Sequence, residues 1–472
     1  MPNGCFDDTY DYVTDCTARP PFEHIEALYL HIPFCVSRCA YCGFYSQVAH
    51  ANDSRIAEYV TFLIRLVSCL GSMGLLSHVK TAYIGGGTPT LAGAGLARLT
   101  HEVASWCHKI VEFTTEANPD SLTPALARQL RRAGVTRVSL GVQSLCEGEL
   151  RGLGRAHTSR QALDAAGYAR AAGLDLSCDL MCGIPGQTME SWQESMAGIV
   201  AAGADHVSCY PLSIEEGTPF DDRVLAGTMQ LPDADQQADM MLEASRVLGE
   251  AGFSRYEVAS YARPGHACRH NIAYWTGVPY LGLGAAAASM LTPELACAVG
   301  ECLRLAVVEE EEGQDGAPGA PAADAGENAK LPSAEAAPAA STEPRGPSLA
   351  DYLAHRPVAA RVRFTFPPDS ARLVHDAACG LHLPVSAEVL TSREAAAEDL
   401  MLAMRMVRGA SRSLLAECVR RGIPVARLDA AIDLAVRDGL AERGPNGGVR
   451  PTQKGWLLGN ELFGIMWDTA RD

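Results

Sequence analysis

The chain has 472 residues, 47% hydrophobic and 20% charged, with a formal net charge of −17. That length exceeds one ordinary core and implies two or three domains, and the negative balance argues against a general nucleic-acid or anionic-membrane binder. No run reaches the ~18–20 apolar residues of a membrane span, and the opening MPNGCFDDTYDYVTDC lacks the basic and apolar regions of a leader, so a cytoplasmic chain is expected, with peripheral membrane contact left open.

After an N-terminal extension, residues 1–24, short apolar runs lead repeatedly into a motif and then a helical pattern. ALYLHI precedes a cysteine loop; a helix-like stretch over 53–70 follows; then come KTAYIGGGTPT, VEFTTEANPD, RVSLGVQSL, LSCDLMCGIPG and HVSCYPLSIEEGTPF, separated by segments such as LTPALARQLRRAG and SRQALDAAGYARAAG. Six strand–loop–helix units in series imply an α/β fold with a parallel sheet curled into a partial or complete barrel, and place the polar motifs on the rim at the C-terminal ends of the strands. This core is expected over 25–308. Residues 309–348, built mainly from Ala, Pro, Glu, Gly and Ser with Leu331 as the only large aliphatic residue, are expected to form a disordered insertion. A connecting segment, 349–390, leads to 391–472, where three helical stretches and two short strands around a Pro-Asn-Gly-Gly turn predict a winged-helix-like α+β domain. Its arginines are interleaved with acids, as in RLDAAIDLAVRDG, which favours packing or protein contact over nucleic acid.

The chemistry concentrates in HIPFCVSRCAYCGFYS, where Cys35, Cys39 and Cys42 put three thiols on one loop. Sixteen cysteines in a long chain of this kind point to reduced thiols, metal ligation or redox chemistry rather than a disulfide framework. Cys69, Cys107, Cys178, Cys209 and Cys302 stand singly in apolar runs and are expected as small buried hydrophobes. A structural zinc site needs a fourth ligand, for which His31 is a candidate, and no second pair lies downstream. A cubane 4Fe–4S cluster held by three thiolates instead leaves one iron open for a ligand. The glycines of GGGTPT allow close backbone approach to a polar ligand. Glu116, Gln143, Arg155 and Asp179, each at or just beyond a strand, offer partners for an ammonium, a carboxylate and ribose hydroxyls.

YLHIPFCVSRCAYC, GGGTPT, EANPD, GVQSL and DLMCGIPGQT, in this order, resemble the radical S-adenosylmethionine enzymes, and more narrowly the anaerobic coproporphyrinogen oxidase group, from about Tyr29 to Leu291 and again in the C-terminal module. The resemblance implies a partial (β/α)6 radical S-adenosylmethionine barrel and a 4Fe–4S cluster on Cys35, Cys39 and Cys42. It places S-adenosylmethionine against Tyr29, Tyr41, Gly86, Gly87, Thr88, Glu116, Gln143, Arg155 and Asp179. One electron from such a cluster cleaves the sulfonium and releases a 5′-deoxyadenosyl radical, chemistry that belongs to the cofactor. The oxidase branch carries a further cysteine two residues after the third ligand, where this chain has Phe44. CRHNIAYW, with His270, Tyr274 and Trp275, instead resembles the signature of the HemW branch, regarded as haem-binding chaperones. That branch implies haem on His270, with Cys268 as a lesser alternative, an acceptor protein, an electron donor for the cluster, and no catalytic residue of the chain's own. The alternative is oxygen-independent decarboxylation of coproporphyrinogen III in porphyrin biosynthesis. One departure is Ala288 in GLGAAAASML, where the branch usually has a histidine.

Overall fold

The structure, a computed structural model, describes residues 23–308, 346–356 and 358–471. The N-terminal extension lies outside the described residues except for its last two, and the insertion 309–348 except for its last three. All six apolar runs form strands: β1 (Ala27–Ile32), β2 (Thr81–Gly86), β3 (Glu112–Ala117), β4 (Arg137–Gln143), β5 (Asp175–Cys182) and β6 (His206–Pro211). Each pairs in parallel with the next in chain order. An order that never reverses is that of a singly wound barrel, not of a doubly wound sheet.

The barrel stays open. The outer edge of β6 takes an antiparallel strand, β7 (Ser260–Ala262), and the outer edge of β1 pairs in parallel with β8 (Tyr280–Leu283), so β1 and β6 do not close on each other. The helices cover the outside because their apolar residues recur at helical spacing. Ser54–Ser72 buries Ile56, Tyr59, Val60, Leu63, Leu66, Val67 and Leu70, and starts where the Asp53 side chain accepts from Arg55 N. Ser159–Ala171 starts with a capping box between Thr158 and Gln161.

Past β8 the sheet continues through β9 (Ala288–Leu291), β10 (Leu305–Val307), β11 (Arg361–Thr365) and β12 (Leu383–Leu390), in spatial order β8-β9-β11-β12-β10; with the short strand Ser254–Arg255 on β7 it has thirteen strands among the described residues. The segment 349–390, expected as a connector, is thus part of the main sheet. Buried Val362, Phe364 and Phe366 alternate with Arg361 and Arg363, the period-two pattern of a strand. Those arginines are neutralised by the next helix, Ser392–Met404. Arg361 Nη2 donates to Asp399 at 2.8 Å, both arginines pair with Glu398, and Arg421 reaches the other Asp399 oxygen at 2.6 Å. At the sheet edge Val307 N donates to Pro347 O at 2.9 Å, so the chain leaves for the insertion and returns at one point.

Helices Ser392–Met404, Arg412–Arg420 and Val425–Arg437, the antiparallel hairpin of Ala441–Arg443 with Val449–Pro451, and helix Gly459–Trp467 build a second apolar core in the winged-helix-like arrangement expected. Among the described residues no helix is long and apolar enough to cross a membrane. Cys107, Cys178 and Cys209 are buried as expected, but Cys69 and Cys302 are not isolated: both are half-buried and their sulfurs lie 2.9 Å apart.

Candidate functional site

The cysteine loop leaves the C-terminal end of β1 and is pinned at both sides. Phe34–Cys35 pairs in parallel with Gln47–Val48, Ala40 N donates to Leu153 O at 3.0 Å, and Phe220 N donates to Ala40 O at 2.9 Å. All three thiols are half-buried. Burial raises the Cys35 thiol and pushes Cys42 up to about 11, and the neighbouring sulfurs add to both shifts. Without metal Cys35 and Cys42 are protonated, and a metal would have to ionise them. Among the described residues the only three ligand groups with all donor atoms within 4.8 Å of one another are Asp175, Asp205 and His266. The three sulfurs of the cysteine loop do not all lie within that distance of one another.

The glycine loop at the end of β2 runs against this sulfur loop. A Cβ on Gly87 would lie 2.8 Å from Phe34 O and 2.9 Å from Cys35 Sγ, and Gly86, at φ +117°, would drive one into the His31 ring at 2.8 Å. Only glycine permits that approach. Thr88 Oγ1 donates to Cys35 Sγ at 3.5 Å. Gly86 N and Tyr83 OH both donate to the Glu116 carboxylate at 3.0 Å. Burial, then the charge of Asp179, raises Glu116 to about 7 despite those bonds. Burial likewise raises Asp179 to about 6, against the hydroxyls of Ser208 and Ser139. Two desolvated carboxyl groups thus influence each other in one interior, an arrangement that a cationic ligand could stabilise.

Arg155 Nη2 donates to Asn118 Oδ1 at 2.7 Å and Gly141 O at 2.8 Å, Nη1 lies 3.5 Å from Cys39 Sγ, and Nε has no partner among the described residues. Asn118 Nδ2 donates to Thr88 Oγ1 at 2.8 Å. A continuous chain, Cys35–Thr88–Asn118–Arg155–Cys39, therefore encircles the sulfur loop. Asn118, the key link, was not singled out in the sequence; its place two residues after Glu116 in EANPD was the available signal. Tyr41, on the loop itself, is hydrogen-bonded to Arg155, and burial raises its phenol. Gln143 sits at φ +66° beyond a register slip in β4, so the rim turns where that side chain leaves the sheet.

Tyr29 is placed deeper. Its hydroxyl bonds His31 Nδ1 at 3.0 Å, and its ring stacks on Tyr83 at 6.2 Å. His31 Nε2 meets Tyr45 O at 3.1 Å; because a carbonyl only accepts, Nε2 carries the proton and Nδ1 accepts from Tyr29. Burial lowers His31 to about 4. Both its nitrogens are thus committed, which removes it as a fourth metal ligand.

His270, Tyr274 and Trp275 share the helix Arg269–Trp275 at the opposite end of the barrel. That helix is seated by Glu112, at the start of β3, which accepts from Arg269 N at 2.9 Å and His270 N at 3.0 Å and pairs with Arg137 at 3.2 Å. His270 is 2% exposed. Its Nδ1 lies 3.1 Å from Thr81 Oγ1, its ring stacks on Tyr83 at 5.2 Å, and Nε2 has no partner among the described residues. Burial lowers it to about 3, so the imidazole is neutral. Tyr274 shares its face and packs on Tyr280 at 4.2 Å, whereas Trp275 lies beneath the Arg405 guanidinium at 4.9 Å, against the C-terminal core. Cys268 is buried and directs its thiol to Glu112 at 3.4 Å and Asn271 at 3.3 Å. Ala288 begins β9, on the same face as Met290, which packs with Tyr274.

The sequence profile of the Radical SAM superfamily matches residues 29–197. The bovine "Radical S-adenosyl methionine domain-containing protein 1, mitochondrial" is 38% identical over 272 residues, 57% of this chain and 61% of that protein. "Heme chaperone HemW" of Escherichia coli (strain K12) is 36% identical over 272 residues, 56% of this chain and 70% of its own, and that of Mycobacterium tuberculosis (strain ATCC 25618 / H37Rv) is 39% identical over 264 residues, 54% and 67%. The chain thus spans about three fifths of the bovine relative and two thirds or more of the two bacterial ones. Among solved structures, the Escherichia coli coproporphyrinogen III oxidase HemN superposes with a TM-score of 0.66 at 19% identity, covering 96% of this chain and 92% of HemN, a likeness of fold.

Proposed function

This chain belongs to the radical S-adenosylmethionine superfamily and, within it, to the HemW family, and on that footing we propose that it is a cytoplasmic haem chaperone, taking haem as cargo and passing it to an acceptor protein. The residues at the barrel mouth fit the family's cofactors. Cys35, Cys39 and Cys42 would hold a 4Fe–4S cluster. Tyr41, Gly86, Gly87, Thr88, Glu116, Gln143, Arg155 and Asp179 would hold S-adenosylmethionine, with Tyr29 acting from behind through His31. When bound, the pair supplies one-electron chemistry, from a donor protein that the family reading requires. The chain's own contribution is electrostatic: Glu116 and Asp179 receive an ammonium group that restores their ionised forms, while Arg155 faces a carboxylate and steadies Cys39.

The observation that carries the chaperone reading over the oxidase one is Phe44. It stands 48% exposed beside the sulfur loop, where the oxidase branch has a cysteine. An apolar, redox-inert side chain there supports binding of a porphyrin face over a further thiol's chemistry. For haem ligation, His270 offers a neutral imidazole with a free Nε2, the form an axial ligand needs. Because it is sealed, ligation requires the helix Arg269–Trp275 to lift from Glu112. The test is anaerobic reconstitution followed by haem titration and assay of coproporphyrinogen turnover. The expected result is haem binding without decarboxylation, a loss of affinity of roughly tenfold or more in His270→Ala, equivalent to ~1.4 kcal/mol, unchanged iron and sulfide, and faster amide exchange across 269–275 when haem binds. Unchanged haem affinity in the variant removes His270 from the site, and porphyrinogen turnover by the wild type establishes the oxidase.

A further inference from the structure

Cys69 lies in the last turn of helix Ser54–Ser72 and Cys302 in the last turn of helix Pro293–Leu303, 233 residues apart in sequence. Their sulfurs are 2.9 Å apart, and Cys69 Sγ also lies 3.2 Å from Cys302 O. A disulfide holds its sulfurs at ~2.05 Å, so bond formation needs less than about 1 Å of approach. Both side chains are half-buried, neither sealed in the core nor fully exposed. The first helix runs back from the cluster loop, so this pair sits at the end of the barrel away from Cys35, Cys39 and Cys42.

We propose that Cys69 and Cys302 are an oxidative modification site, closed by a peroxide into a reversible disulfide that staples the first barrel helix to the helix leading into the insertion. One thiol takes an oxygen atom from the peroxide, giving a sulfenic acid and water. The second sulfur attacks the sulfenic sulfur, its proton leaves with the departing hydroxide as a second water, and the S–S bond forms. Two thiols lose two electrons in all, and one hydrogen peroxide becomes two waters. A dithiol reverses the bond by exchange through a mixed disulfide. Burial and the facing sulfur push the Cys302 thiol up to about 12, which makes closure slow and resistant to brief exposure, since the thiolate is the reactive form.

The test uses the full-length chain, purified anaerobically and reduced, then treated with hydrogen peroxide for hours, blocked with iodoacetamide and digested with trypsin. The expected product is a cross-linked pair of the peptides carrying Cys69 and Cys302, lighter than their sum by two hydrogens. Dithiothreitol should abolish it, and fragmentation should assign the bond to Cys302 rather than Cys297 in the same peptide. In Cys302→Ser the cross-link to Cys69 should vanish. The proposal is overturned if both thiols are recovered alkylated in separate peptides, if each ends as a sulfinic acid without cross-linking, or if Cys69 pairs as readily with Cys297 in the variant. The wild-type map alone decides the matter should the variant fail to fold.

Discussion

Glu112 and Glu116 stand four residues apart on β3 and, by the period of two, on the same face of the strand, yet the two ends of the barrel treat them in opposite ways. At the floor, Glu112 meets the Arg137 guanidinium and two backbone N–H groups of the helix Arg269–Trp275. At the mouth, Glu116 has one phenol and one N–H, faces the like charge of Asp179, and is held at about 7. The floor carboxylate is compensated from within the chain and works as a fastener. The mouth carboxylate has no cationic partner among the described residues, and that deficit is what a cationic ligand would fill.

Three changes put this contrast to the test. The largest effect belongs to the mouth: Cys39→Ala removes one of three sulfur donors, and purified variant should retain almost none of the iron and sulfide of the wild type while its unfolding free energy changes little. Full iron content would break the three-thiolate assignment. Next is the floor. Glu112→Ala leaves Arg137, 4% exposed at its side chain, without its carboxylate, and should lower the unfolding free energy by about 3–5 kcal/mol, read by urea denaturation of the cluster-free protein. A loss under ~1 kcal/mol would show that the floor is not the fastener described, since that is the scale of an exposed pair.

The smallest effect is a pH dependence. Glu116 has a folded value of about 7 against an ordinary value near ~4.3. Between those limits the folded state holds a proton that the unfolded state has released. Stability contributed by this group is therefore full below about pH 4 and falls as pH rises to about 7, by at most ~3.7 kcal/mol. Glu116→Gln should flatten that slope in cluster-free protein, and an unchanged slope would assign it to Asp179, whose shift has the same sign.

The parallel core was legible because strands buried on both faces show as apolar runs, and because each run ended in a polar motif that the topology carries to one rim. The sulfur loop, the glycine loop and Glu116 stand at such strand ends, whereas Asp179 lies within β5 and Arg155 follows the helix Glu147–Gly152 after β4. What escaped were features set by distant partners. Within 349–390 the alternation of Arg361, Val362, Arg363 and Phe364 was a strand signal in its own right, but the acids that neutralise its arginines lie in the following helix, so its place in the main sheet could not be read locally. Asn118 drew no notice because an asparagine before a proline suits a turn equally well; only the fold reveals that it joins Thr88 to Arg155. The meeting of Cys69 with Cys302 leaves no local pattern at all. The histidine motif gave the residues but not their separation, since Trp275 joins the C-terminal core while His270 turns into the barrel.

The bond between Val307 and Pro347 has an engineering consequence. Entry and exit of the intervening segment are already stitched together at the rim of the sheet, so its length is decoupled from the geometry of everything else. Each halving of such a loop alters closure entropy by only ~0.6 kcal/mol. The position is accordingly a natural splice point, where a short turn or a fluorescent reporter should be accepted in place of the native segment.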